Sequence, residues 1–232
     1  MIRIYLHALL GAFVSVTGAN IASADVWIVG VDGAASVSGT TTTIEGDQFD
    51  AGGSSPRWDN LGVIGTDLVA TTNSVSTDRY FIITANIAAL NLTVADNRYV
   101  EIFYSSDLPW TGDGSASDHR FFLSDTGQGN NGENSQDSTL VPTSVGAHSF
   151  VIDLLSTDGT TLDGDFGPTE TWDQLRWDMW NKTANPANQG ITFTLDKVVF
   201  GGAVTIIPEP NTLALLVLSS VGLFVNRRNR PA

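Results

Sequence analysis

The chain contains no cysteine. Thiol catalysis, disulfide cross-links and cysteine-ligated zinc are therefore excluded, and any fold must be held by packing or by metal ions. Histidine is almost as scarce, with only His119 and His148 beyond the first 24 residues. Each lies beside an apolar strand-type residue, Phe121 and Phe150, which marks a strand entrance more readily than a catalytic base. His-Glu-x-x-His, Gly-x-Ser-x-Gly and phosphate-loop signatures are all missing. Paired carboxylates are the one hydrolytic chemistry left, and among so many acids some pair lies close by chance. The chain reads as a non-enzyme.

Positive charge is also sparse. Between Asp25 and Thr205, 181 residues carry seven Lys or Arg against 24 acids, a formal charge of −17. Such a field opposes nucleic acid and anionic membrane surfaces, so neither is an expected partner of this span. Twenty of the 25 acids are Asp. Asp is a turn residue first, and an oxygen ligand for calcium second. The length suits one domain with a sizeable core.

Long apolar runs are confined to the two ends. "MIRIYLHALLGAFVSVTGANIASA" has an early Arg3, an apolar centre from about Ala8 to Val16, and Ala22-Ser23-Ala24 before Asp25. That is the layout of a secretory signal peptide over residues 1–24. At the other end, Leu213–Val225 is 13 residues, about 20 Å as a helix against a hydrocarbon core of about 30 Å. Pro208 and Pro210 resist extending that helix backwards, and Arg227, Arg228 and Arg230 hold its end on the cytoplasmic side. The segment suits a transient stop, with membrane contact limited to it, better than a lasting anchor.

Pro208-Glu209-Pro210, a hydrophobic stretch and a basic end resemble the PEP-CTERM sorting signal of Gram-negative bacteria over residues 206–232. The resemblance implies an exosortase, a membrane cysteine protease-transpeptidase, as a transient partner that recognises and removes the tail. It also implies export to the cell surface or extracellular matrix, among exopolysaccharide and biofilm components. Pro208, Glu209 and Pro210 are then recognition residues, not catalytic ones.

Residues 25–205 show period-two alternation bounded by Gly, Asp, Asn and Ser: "DVWIVGVDG", "DRYFIITANIAAL", "RYVEIFYSSD", "HRFFLSD" and "HSFVIDLL". These are expected strands, giving an all-β antiparallel sandwich without a long helix or a domain boundary. Leu61–Val69 is expected to hold at most a short turn, and "GTTTTIEGD" and "DTGQGNNGENSQDST" are expected as surface loops. Leu175, Trp177 and Met179 alternate onto one face, with Arg176, Asp178 and Trp180 on the other. Ile191, Phe193 and Leu195 share a parity that Val198 and Phe200 break, so a bulge is expected near Asp196-Lys197.

Trp172, Leu175, Arg176, Asp178, Gly190, Phe193, Asp196 and Val198 form a pattern similar to the closing strands of jelly-roll domains, such as carbohydrate-binding modules and galactose-binding-like domains. "GDQFDAGGSSPRW" is weakly similar to their opening. The similarity implies a jelly roll, exopolysaccharide as a ligand, and a structural Ca²⁺ between opening and closing strands, here at Asp47, Asp50 and Asp196. Sugar recognition needs an aromatic face with planar polar neighbours. Trp180 with Arg176 and Asp178, and Trp110 in a polar loop, are the candidates; the alternative is that Arg176 and Asp178 form an ion pair. Jelly-roll glucanases carry a Glu-x-Asp-x-Glu cluster, of which "EGDQF" at Glu45 has only the first two acids. Two roles stay open: an exopolysaccharide-binding module, or a purely structural acidic matrix protein. A Thr/Ser face with buried tryptophans is expected for the second.

Overall fold

The computed structural model describes residues 27–49, 58–73, 79–83, 90–110, 120–124, 135–136, 141–155, 167–180 and 188–207. The expected signal and sorting helices, and Asp50, lie outside them. No helix among the described residues is long and apolar enough to cross a membrane. Apart from one 3-10 turn at Gly46–Gln48, the described regular structure is strand: β1 (Ile28–Val31), β2 (Ala35–Glu45), β3 (Trp58–Ile64), β4 (Asp67–Thr72), β5 (Arg79–Ile83), β6 (Leu92–Thr93), β7 (Tyr99–Ser106), β8 (Arg120–Ser124), β9 (Ser135–Gln136), β10 (Gly146–Asp153), β11 (Thr171–Trp172), β12 (Gln174–Trp180) and β13 (Thr192–Ile206).

One sheet runs β1-β10-β7-β13-β4-β3, with β2 also paired to β13; a second runs β5-β12-β8-β9; β6 and β11 form a small pair. The pairings are antiparallel, as short strands punctuated by turn residues favour. Between the two sheets lies the core. Leu175, Trp177 and Met179 are buried from the second sheet, and Ile102, Tyr104, Phe150, Phe193, Leu195, Val198 and Phe200 from the first. Trp177 is the hub, its ring 5.0 Å from Phe150, 5.1 Å from Tyr104 and 6.1 Å from Phe81. Such edge and tilted contacts suit the aromatic quadrupole. The void lined by Phe81, Ile102, Leu175, Trp177, Leu195 and Val198 is about 10 Å³, no more than one water needs, so this part of the interior offers no ligand cavity.

The bulge falls where the parity break places it. Leu195 pairs with Tyr104 and Lys197 with Phe103, which leaves Asp196 as the extra residue and returns Val198 and Phe200 to the core. "GTTTTIEGD" differs from expectation, because Gly39–Glu45 belongs to β2, and Thr41–Glu45 pairs along β13. Threonine is β-branched and favours a pleated strand once a partner supplies the ladder, and that partner lies far away in sequence. The stretch Leu61–Val69 forms the β3–β4 hairpin, closed by Gly65 at a φ of 68°.

Strand β13 bends beyond Gly201, where its register against β2 shifts. A Cβ on Gly201 would sit 2.7 Å from Val37 Cγ1 and 3.1 Å from the Ser38 carbonyl oxygen, so the two strands meet this closely only because the residue is glycine. Gly39 on β2 adopts a φ of 85° at the same bend. The ribbon then folds over the outer side of the first sheet. There Ala35, Val37 and Val204 pack with Tyr99, Val151 and Val199 in a small apolar cluster apart from the main core.

Candidate functional site

On β12, Asp178 is 1% exposed and the Arg176 side chain 12%. Nε of Arg176 donates to Oδ1 of Asp178, and Nη2 donates to Oδ2 at 2.7 Å. The guanidinium carbon stands 3.7 Å from the centre of the Tyr80 ring, on the neighbouring β5. A bidentate carboxylate and a stacked ring occupy both the edge and a face of the guanidinium. This is the ion-pair alternative rather than an open sugar-binding pair. Trp180 ends β12, where a register shift against β5 pairs it with Arg79; its side chain lies outside the described residues.

Trp110 corrects an expectation. Its polar sequence surroundings suggested an exposed platform, yet the residue is 1% exposed and its ring meets Phe193 edge-on at 5.5 Å. The Trp110 backbone N–H donates to the Thr143 carbonyl at 3.0 Å, which draws the loop inward. Trp27, Trp58, Trp172 and Trp177 are buried as well, so among the described indoles none offers a surface for stacking.

The carboxylates expected to hold Ca²⁺ do not assemble a site among the described residues, where no group of three or more Asp, Glu or His is placed to share a metal. Gly46 packs against the Leu195 carbonyl, which brings the 3-10 turn containing Asp47 near the bulge at Asp196. Asp196 is 49% exposed, however, and one of its oxygens lies 4.0 Å from the Lys197 ammonium. Asp50, the third expected ligand, lies outside the described residues.

Sequence reading missed two polar arrangements. Glu101 is buried on β7, and its Oε2 accepts from the Val37 N–H at 3.0 Å and the Ser36 hydroxyl at 3.1 Å. A lone acid inside "RYVEIFY" was the available signal, since a buried charge demands partners. The second arrangement joins Asp32, His148 and Ser144. His148 Nδ1 is 3.0 Å from Asp32 Oδ1, while Nε2 is 3.1 Å from the Ser144 hydroxyl and 3.0 Å from the Ser144 carbonyl. A Ser-His-Asp relay directs the Nε2 lone pair at the hydroxyl. Here the carbonyl can only accept, and it competes for the same nitrogen. The ring therefore suits a clip between the β1–β2 turn and the loop before β10. Asp32 completes that clip by accepting the Ser149 N–H at 3.2 Å. The pairing of β1 with β10 creates this contact, and no local motif announces it.

On the outer side of the first sheet, Phe103 and Lys197 pair across β7 and β13, as do Ser105 and Thr194. The Lys197 ammonium is 5.0 Å from the centre of the Phe103 ring. The hydroxyls of Thr71 and Thr192 meet at 3.2 Å on the adjoining strands. The result is a half-buried surface of Thr and Ser with one phenylalanine. No protein-family model matches the chain, and no curated protein matches it significantly.

Proposed function

We infer that the chain is an exported, non-catalytic structural protein of the cell surface or extracellular matrix, and that an exosortase removes its tail. The observation that carries the reading is the end of β13. Ile206 and Ile207 are 58% and 49% exposed, and Pro208-Glu209-Pro210 follows directly in the sequence. The last described residues before the motif are thus exposed, which favours access by a processing enzyme. Proline supplies no N–H for a ladder, so the sheet has a physical reason to stop there.

The order β10-β7-β13-β4 facing β5-β12-β8-β9 supports a jelly roll, in which eight strands form two Greek keys. A structural role is favoured over lectin-like binding because the described tryptophans are interior and the Arg176–Asp178 pair is consumed internally. The charge of −17 over residues 25–205 then keeps the protein hydrated among polymers. One observation favours a second reading, contact with exopolysaccharide: the Phe103 face offers one ring among hydroxyls. Calcium would enter this account only if Asp50 completes a site with Asp47 and Asp196.

Replacing Pro208, Glu209 and Pro210 by alanine in the source cells is the test. The reading expects the altered protein to accumulate in the membrane fraction with its tail attached. Normal release of that variant would refute the processing reading. Retention of the mature domain on a glycan column, lost in Phe103→Ala, would replace the structural role by the second reading.

A further inference from the structure

The end of β13, which precedes the tail in sequence, is lightly held. Residues Ala203–Ile206 of β13 pair with Ser38–Ala35 of β2, and no other strand pairing of theirs occurs among the described residues. Upstream, Lys197–Gly201 pairs with both β2 and β7. The strand is thus held on two sides up to the bend and on one side beyond it. Ala203, Thr205, Ile206 and Ile207 are exposed, and Val204 is half-buried against the small outer cluster. The last described backbone bond is the Ile207 N–H to the Ala34 carbonyl, at 2.8 Å.

The partner half of the ribbon is fixed much more firmly. Ala35 and Val37 are buried, and Glu101 grips the Val37 N–H. The β1–β2 turn is clipped by Asp32 to His148 and to Ser149. A local opening therefore separates Ala203–Ile207 from Ala34–Ser38 and leaves the latter in place. Segments with few apolar contacts and exposed ladders are the ones that open below the global unfolding free energy.

Reach supplies the reason to open. Five residues, Pro208–Thr212, separate the last bonded residue from the apolar run at Leu213. Fully extended they span at most about 18 Å. The polar interface of one leaflet takes roughly 5–7 Å of that, before any enzyme is placed between domain and membrane. Freeing Ala203–Ile207 adds five residues and doubles the reach to about 36 Å. We propose that the terminal strand Ala203–Ile207 peels from β2 when the membrane-embedded processing enzyme takes the chain in an extended form. The strand end is therefore part of the docking segment, and its detachment controls when processing occurs. This proposal rests on the processing reading given above.

Ser36 and Thr205 pair across the ribbon, and the chain has no native cysteine. A full-length S36C/T205C variant, exported in the source cells, can be compared with and without reductant by intact mass. The expected result is at least a tenfold slower loss of the tail in the cross-linked form, restored by reduction. Inserting a ten-residue Gly-Ser spacer between Ile207 and Pro208 should restore processing of the cross-linked form. Equal processing of locked and reduced protein would overturn the proposal while leaving the processing reading intact. A tail retained by the unaltered chain would overturn both. Failure of the spacer to rescue would also count against the reach argument, because the reduced form shows that the variant folds.

Discussion

Replacing Asp178 by alanine removes one half of an ion pair that water barely reaches. Asp178 is 1% exposed and holds both Nε and Nη2 of Arg176. Losing it takes a bidentate carboxylate from a guanidinium that is only 12% exposed and stacked on Tyr80. Breaking a buried pair in this way costs about 3–5 kcal/mol. For a domain of this size, at roughly 2–4 °C per kcal/mol, the melting midpoint should fall by about 6–20 °C. Exchanging both partners for apolar residues, R176M/D178L, should recover most of that loss, because neither half of the pair is left without the other. Thermal and urea unfolding of the mature-length protein, with single and double variants side by side, would measure both effects. A single variant within about 1 kcal/mol of the parent would refute the reasoning, since that is how an exposed, screened pair behaves. The same result would reopen Arg176 and Asp178 as ligand-contacting residues.

Further outcomes follow from other parts of the fold. Gly46→Ala should destabilise severely or prevent folding, since its Cβ would lie 2.2 Å from the Leu195 carbonyl oxygen and 2.6 Å from the Leu68 nitrogen; near-parental solubility and melting would contradict the packing. Burial, with a smaller contribution from Asp32, raises the Tyr104 hydroxyl above its ordinary value of 10.0. That group keeps its proton in the native state where the unfolded chain loses it, so stability present below about pH 10 should decline above it by up to about 1.4 kcal/mol per pH unit. Tyr104→Phe should flatten that part of the urea-monitored pH profile, and an unchanged slope would dismiss the assignment. Calcium added after chelation should leave the melting midpoint in place; a site filled at about 100 times its Kd would add about 2.7 kcal/mol, so a clear upward shift would revive Asp47, Asp50 and Asp196 as ligands.

The strands were legible wherever alternation is local. Leu175, Trp177 and Met179 announced one buried face, and the parity break between Leu195 and Val198 located the bulge at Asp196. Burial created by distant partners was not legible. Trp110 sits among polar neighbours in sequence, and only the fold brings Phe193 and Thr143 to it. The threonines of β2 look like loop until β13 is laid beside them, some 150 residues later. Arg176 and Asp178 were visible as a pair, but adjacency on one strand face is the same for a ligand site and a closed ion pair. Their burial separates the two possibilities.

The central claim is that the residues after β13 are a removable address on a folded, exported cargo. Intact-mass measurement of the protein recovered from its source cells tests this most directly. The account predicts a species that starts near Asp25 and lacks the apolar run from Leu213 onward. A recovered chain that still ends at Ala232 would contradict it.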